Sequence, residues 1–309
     1  MRKELLDELK NITGAVNVRT DEDMSEHATF KAGGRADVFV TPQSKEEATE
    51  IVRLLLMHDE EYTVIGNGSN ILVPDEGYKG CIICMGRGED DITVNGNVIT
   101  AGAGAMLSKV AKTAYDNSLT GLEFASGIPG SVGGAVVMNA GAYGGEIKDV
   151  VTSVTLFDAV SKKIVTKTAA QMEFGYRTSI IKTHPYVVLE AKFKLAACDR
   201  AAIKDIMDEL AARRRDKQPL EYPSAGSTFK RPEGYFAAKL IEDAGLKGLS
   251  VGGAQVSEKH SGFVINKGGA TATDILELIR MIREKVYENS GVMLETEVVI
   301  LGDTKEGRS

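Results

Sequence analysis

Gly127-Ile128-Pro129-Gly130-Ser131-Val132-Gly133-Gly134-Ala135 and, upstream of it, Val64-Ile65-Gly66-Asn67-Gly68-Ser69-Asn70-Ile71-Leu72-Val73 are the stretches on which the reading of this chain turns. Glycine at such spacing lets backbone N–H groups converge on an anion with no Cβ in the way, and a pyrophosphate is the natural guest. Neither stretch is a dinucleotide fingerprint. The third glycine position after Gly66 and Gly68 is Ile71, and Gly102-Ala103-Gly104 continues to Leu107. No glycine-rich run ends in Gly-Lys-Ser or Gly-Lys-Thr, which removes a P-loop. Alone, each loop reads as a tight turn. Together, with eight glycines between Gly121 and Glu146, they point to a large phosphate-containing ligand.

Composition sets the frame for those loops. At about 150 residues per domain, a chain of 309 suggests two domains, or one with a large insertion. Lys and Arg total 37 against 44 Asp and Glu, a net charge of −7, so nucleic acid and anionic membrane are not expected partners. Glycine accounts for 33 residues, above the usual ~7%. The uncharged run from Phe124 to Gly145 holds seven glycines, Pro129 and Asn139, and so reads as loop and buried backbone, not a membrane span. Met1–Lys10 alternates charge with leucine and has no secretory pattern, so a cytoplasmic location is expected. Cys81 and Cys84 sit three apart in an apolar strand-like run and read as strand cysteines on opposite faces. The four histidines form no ligand spacing, and no metal is expected.

Ser44-Lys45-Glu46-Glu47 is a capping box opening a helix to about His58, flanked by strand-like Ala36–Val40, Tyr62–Ile65 and Asn70–Val73: a small α/β unit. From Gly80 the period becomes two: strands at Cys81–Met85, Val98–Ala101, Val151–Asp158, Lys163–Thr168 and Tyr186–Leu195, a turn at Asn95-Gly96 and a helix near Leu107–Asn117. This reads as α+β. After Cys198 a charged helix presents Ile203, Ile206, Met207 and Leu210 on one face and runs into Arg213-Arg214-Arg215-Asp216-Lys217. The remainder reads as α/β: helix Tyr235–Ala244, strand Gly262–Ile265, a long helix capped at Thr271-x-x-Asp274 with Ile275, Leu278, Ile279, Ile282 and Val286 inward, and strand Leu294–Leu301. The tail from Asp303 is expected to fray.

With these elements in order, the chain resembles the UDP-N-acetylenolpyruvoylglucosamine reductases. Thr29-Phe30-Lys31-Ala32-Gly33-Gly34, the two glycine loops, Met138-Asn139-Ala140-Gly141-Ala142-Tyr143-Gly144, Tyr176-Arg177, Ala225-Gly226-Ser227-Thr228-Phe229 and Leu294-Glu295-Thr296-Glu297-Val298 carry the resemblance across essentially the whole chain. It implies a two-part FAD-binding region of the vanillyl-alcohol oxidase type, residues 1–79 and 80–200, and a C-terminal α/β substrate-binding domain, 201–309. It also implies an activity: reduction of the enolpyruvyl ether of UDP-N-acetylglucosamine to UDP-N-acetylmuramate with NADPH, in peptidoglycan synthesis. The partners are then small molecules, and a monomer is expected. A long aromatic-containing loop between the Ser227 region and the final strand is missing, as in the family's shorter subtype. Arg231 stands where the longer subtype has asparagine, so the resemblance does not fix that diphosphate contact.

The family's roles carry over by motif. Ser227 becomes the proton donor, Arg177 the holder of the carboxylate, and Glu297 the assistant to protonation. FAD falls to Gly66, Asn67, Gly68, Ser69, Asn70, Gly127, Ile128, Pro129, Gly130, Ser131, Gly133, Gly134, Ala135 and Asn139, bound without a covalent tether. Substrate contacts fall to Tyr176, Lys217, Lys230 and Arg231. On residue chemistry alone these positions stay open. A serine after glycine commonly bonds its own backbone, an arginine such as Arg177 commonly makes a surface ion pair, and strand alternation puts Glu295, Glu297, Val299 and Leu301 on one face without saying which glutamate acts. Of Arg213, Arg214, Arg215 and Lys217, one or two are expected at the substrate diphosphate, with no basis for choosing. Tyr143 belongs either beside the flavin or in the core. Two alternatives accompany this reading: a flavin oxidase of the same fold, separable by oxygen consumption, and a UDP-sugar-binding protein that has lost its flavin, separable by colour.

Overall fold

The computed structural model describes residues 2–86, 88 and 90–302; the expected frayed tail lies outside the described residues. The chain divides into two compact units, each drawing on separated stretches: 1–20, 38–67 and 80–214 in the first, 21–37, 68–79 and 215–309 in the second.

The first unit contains helices α1 (Lys3–Thr13), α2 (Lys45–Met57), α3 (Leu107–Asp116), α4 (Val132–Val137) and most of α5 (Arg200–Lys217). Its main sheet has five antiparallel strands in the order Lys163–Thr168, Val151–Asp158, Tyr186–Lys194, Val98–Gly102, Ile92–Asn95. Four of these strands form where the period-two pattern expected them; Ile92–Asn95, not expected as a strand, pairs with Val98–Gly102 across the predicted Asn95-Gly96 turn. A parallel pair, Tyr62–Ile65 with Tyr78–Cys84, runs in register Tyr62↔Cys81 to Ile65↔Cys84. Apolar side chains of α1, α2, α3 and both sheets, among them Leu5, Ile51, Ile83, Val110 and Phe157, form one core.

Two local expectations need correction, while Cys81 and Cys84 lie in a strand as expected. At α2, Ser44 Oγ accepts from the Glu47 N–H as a cap should, but the Glu47 carboxylate accepts from Gln43 N at 2.8 Å instead of closing the box on Ser44. The apolar face assigned to α5 buries only Ile203; Ile206 is exposed, because charged neighbours leave the helix a narrow contact. Cys81 and Cys84 are free thiols, Cys81 fully buried, and burial pushes them up to about 12 and about 11, so both stay protonated at neutral pH.

The second unit packs α6 (Ala237–Asp243) and α7 (Ala272–Ser290) on a three-stranded antiparallel sheet, Ser250–Val251, Ala254–Val256, Val264–Asn266. All five predicted inward residues of α7 are buried, and its Thr271/Asp274 capping box is complete. The strand expected over Leu294–Leu301 is regular only at Val299–Ile300, which pairs parallel with Ile71–Leu72, while Thr296 bridges Phe229. The segment changes partner midway, so the pleat does not run through, and Leu301 is buried although Val299 is exposed.

Asp75 ties α7 to the 68–79 stretch within this unit. Its carboxylate accepts from Ala272 N (2.9 Å), Thr273 N (2.8 Å) and Thr273 Oγ1 (2.6 Å), occupying N–H groups that the first helical turn leaves unpaired. Burial pulls the Asp75 carboxyl up, but these hydrogen bonds outweigh it and the net displacement is downward. A depressed carboxyl stabilises the fold fully above its unfolded value near 3.9 and loses that contribution as pH falls through the lower folded value. We therefore expect Asp75→Ala to cost about 1–2 kcal/mol at pH 7 by denaturant unfolding, with the difference from wild type shrinking below about pH 4.

Candidate active site

The Gly66-Asn67 end of the upstream loop meets the Gly127–Ala135 loop in the first unit. Residue 66 lies so close to Ser131 that a Cβ there would overlap the Ser131 hydroxyl, and Asn67 Nδ2 donates to Pro129 O at 2.6 Å. Ser131 is buried and caps α4, accepting from Gly134 N. Val132 N and Gly133 N donate to Ala105 O and Ala103 O, each at 2.8 Å, and Ala135 N to Ser131 O. The N–H groups inside α4, including those of Gly133, Gly134 and Ala135, are thus occupied, and Ile128 N is paired with Ala125 O. Among the described residues, those of Gly66, Asn67, Gly127, Gly130 and Ser131 have no acceptor in the protein. A row of unpaired donors on two apposed glycine loops fits a pyrophosphate, and FAD fits this cradle through those five residues.

Asn139 organises the neighbouring turn. Fully buried, it donates through Nδ2 to Gly175 O (2.9 Å) and Glu146 Oε2 (3.1 Å) and accepts from Lys148 N (2.9 Å), so its amide is committed inside the protein. Gly175 and Thr178 close a two-residue turn that presents Tyr176 and Arg177. Arg177 takes φ +54°, where glycine is the unstrained choice, a conformation costing about 1–3 kcal/mol that must be held by its surroundings. Its Nη2 donates to Gly141 O at 3.2 Å and its guanidinium lies 5.1 Å from the centre of the exposed Tyr176 ring. The Glu146 carboxyl is held low chiefly by its hydrogen bond from Lys148, against burial, with Asn139 and Arg177 adding to the effect. Tyr143 is 43% exposed, which removes the core alternative for it.

In the second unit, Thr228 fixes the position of Ser227. Completely buried, it donates N–H to Gly262 O (2.9 Å), accepts at Oγ1 from Val264 N (2.9 Å), and accepts at its carbonyl from Glu297 N (2.8 Å). Lys230 N continues the pairing to Glu295 O. Ser227 is left exposed at the end of this ladder, and Glu297, half-buried, is paired to the residue next to it. The two glutamates separate: Glu295 is exposed and bonded to Lys230 Nζ at 2.9 Å, which holds its carboxyl low. Asn70 Nδ2 donates to Glu297 O (3.1 Å), while its own carbonyl receives Val299 N. Gly68 O receives Thr29 N, and Ser69 lies in the turn between Gly68 and Asn70. Lys217 is exposed, and the Arg231 guanidinium stacks 3.9 Å from the centre of the Phe236 ring.

The structure brings Ser227 and Glu297 together in the second unit, with Gly68, Ser69 and Asn70, and sets Arg177, Tyr176, Asn139, Gly66, Asn67 and the Gly127–Ala135 loop in the first. Sequence reasoning missed Thr228 and the clamp from Asn70 on Glu297. An apolar-flanked threonine within Gly226-Ser227-Thr228-Phe229 was the available signal for the former; nothing local announced the latter. The cleft along α1 and α2, lined by Glu8, Glu50, Arg53 and Met57, contains none of these residues.

Residues 36–166 match the FAD-binding domain family, and residues 218–301 match the C-terminal domain of UDP-N-acetylenolpyruvoylglucosamine reductase. A variant of the pollen protein Phl p 4, a glucose oxidase, aligns with TM-score 0.50 at 14% identity over 64% of this chain and 45% of that one, a likeness of fold alone. Fold and loops thus define an FAD-dependent oxidoreductase with the vanillyl-alcohol oxidase type of flavin-binding region. The UDP-N-acetylenolpyruvoylglucosamine reductase of Clostridium perfringens strain SM101 is 53% identical over 93% of both chains, and that of Clostridioides difficile strain 630 is 50% identical over 96% of this chain and 97% of its own. The crystal structure of the reductase from Thermus caldophilus aligns with TM-score 0.79 at 34% identity, over 92% of this chain and 99% of that one. The chain belongs to the UDP-N-acetylenolpyruvoylglucosamine reductase family and catalyses the reduction step of peptidoglycan precursor synthesis.

The loop contact has a direct test. In Gly66→Ala the new methyl displaces Ser131, and the purified protein is expected to retain at least tenfold less flavin, read from the visible absorbance ratio. Adding Ser131→Gly makes room for that methyl, and glycine at an N-cap costs only a few tenths of a kcal/mol, so the double variant should regain flavin. Wild-type flavin content in Gly66→Ala would show that the contact is irrelevant to the cofactor.

Proposed function

We propose that the chain passes a hydride from NADPH, through non-covalently held FAD, to the enolpyruvyl ether of UDP-N-acetylglucosamine, with Ser227 as proton donor and Arg177 and Glu297 stabilising the enolate and assisting protonation. The observation that carries this reading is the 2.8 Å bond from Glu297 N to Thr228 O, which sets an exposed hydroxyl and the second glutamate of the motif on one paired segment. Bound FAD supplies hydride from N5, and the protein supplies orientation, charge and the proton.

Addition to one alkene carbon leaves negative charge next to the substrate carboxylate, which preorganised donors must meet. A guanidinium suits that carboxylate because two parallel N–H groups can hold it while its charge favours the enolate, and the strained backbone at Arg177 fits a residue held for such a task. A serine is a weak acid and works only where a neighbour relays or stabilises charge; in this reading Glu297 is that neighbour. Tyr176, Lys217, Lys230 and Arg231 are the proposed substrate contacts, and Gly66, Asn67, Gly68, Ser69, Asn70, Gly127, Ile128, Pro129, Gly130, Ser131, Gly133, Gly134, Ala135 and Asn139 the proposed cofactor shell. We also retain 1–79 and 80–200 as FAD-binding subdomains, 201–309 as the UDP-sugar domain, a cytoplasmic location and a monomeric state. Among the described residues no helix is long and apolar enough to cross a membrane.

Neither glycine loop contains histidine or cysteine, and the thiol bonded to Gly66 O, Cys84, is held protonated. Acid precipitation should therefore release all flavin into the supernatant; yellow colour staying with the pellet would mean a covalent tether. Ser227→Ala is expected to leave the NADPH-dependent half-reaction near wild type and slow the substrate-dependent half by ~10²–10⁴, because hydride addition without protonation reverses. Stopped-flow traces separate the two. Equal slowing of both halves would assign the serine to holding the loop instead of delivering the proton.

A further inference from the structure

The end of α5 carries four cations, and the fold treats them differently. Arg213 bonds Glu209 Oε1 at 2.5 Å, and Arg215 and Lys217 are exposed. Arg214 turns inward against the first unit. Its Nε is the buried side-chain polar atom left without a hydrogen-bond partner among the described residues. Its Nη1 would lie 2.7 Å from a Cβ at position 127, so glycine there lets the guanidinium rest on the loop backbone. Burial pushes the Arg214 guanidinium below its usual value, opposed only by the nearby Tyr143 hydroxyl. A half-buried guanidinium with a buried, unpaired Nε is costly in an isolated protein. It lies on the loop whose Gly127, Gly130 and Ser131 N–H groups, like those of the apposed Gly66 and Asn67, also have no acceptor in the protein.

We infer that Arg214 binds a diphosphate at the Gly127–Ser131 loop, supplying the countercharge to the row of unpaired backbone donors. Its planar fork suits two phosphoryl oxygens, which a lysine ammonium meets only as a point charge. The inference rests on the flavin-dependent reading above and deepens it by naming the cation of the loop. Both FAD and the UDP-sugar carry a diphosphate, so the test has one arm for each.

Full-length holoenzyme is diluted in series and released flavin read by fluorescence, giving a Kd for FAD. UDP is then titrated into holoenzyme kept in excess FAD and followed by the flavin difference spectrum. For Arg214→Met we expect a 10- to 100-fold rise in the FAD Kd, for Arg214→Lys a smaller rise, and for Arg213→Met less than twofold, since Arg213 is already paired. A rise confined to the UDP Kd would assign the same contact to the substrate's diphosphate. Both constants within threefold of wild type in Arg214→Met and Arg214→Lys would overturn the inference, as would a lowered melting temperature with unchanged Kd values, which marks a structural role. Should Arg214→Met not fold, Arg214→Lys keeps the charge and carries both arms. Wild-type protein that takes up no FAD would instead sink the flavin reading, leaving the UDP arm to judge Arg214.

Discussion

Thr228 is fully buried, and leaving its N–H, hydroxyl and carbonyl unpaired would cost about 1–3 kcal/mol for each group. Each is paired: the N–H and hydroxyl bond one stretch, at Gly262 and Val264, and the carbonyl bonds another, at Glu297. That triple pairing gives the neighbouring Ser227 a fixed address while keeping it in solvent. It also determines which of two glutamates sits beside it, because the ladder places Glu297 opposite Thr228 and sends Glu295 to Lys230.

The first unit obeys the same constraint with one difference. Asn139 satisfies itself by bonding Gly175, Glu146 and Lys148, and so shapes the turn that carries Arg177. The glycine loops and Arg214, in contrast, are left with donors that no group among the described residues accepts. Native proteins pair most buried groups of this kind, and the buried Gly130 and Ser131 and the Arg214 Nε are exceptions lying close together.

The helix and sheet framework was legible because its signals are local. Ile275, Leu278, Ile279, Ile282 and Val286 recur at helical spacing and all are buried; Val151–Asp158, Lys163–Thr168 and Tyr62–Ile65 begin and end where alternation and turn residues said they would. Expectations missed where one segment serves two partners or where a helix buries little. Residues 294–301 switch from Phe229 to Ile71–Leu72 and lose their strand period, and α5 keeps an apolar stripe in sequence that the packing uses only at Ile203.

The sequence by itself determined the two glycine loops, the absence of a dinucleotide fingerprint or P-loop, the order of the elements and, through the motifs around Arg177, Ser227 and Glu297, the family. Those are properties of neighbouring residues and of their order. Only the tertiary structure decided that Gly66 lies against Ser131, that the N–H groups inside α4 are taken while those before it are not, that Asn70 and Thr228 hold Glu297, and that Arg214 alone of its basic run turns inward. Each depends on contacts between stretches far apart in the chain, and whether a polar group is paired or left open is settled by what folding brings beside it.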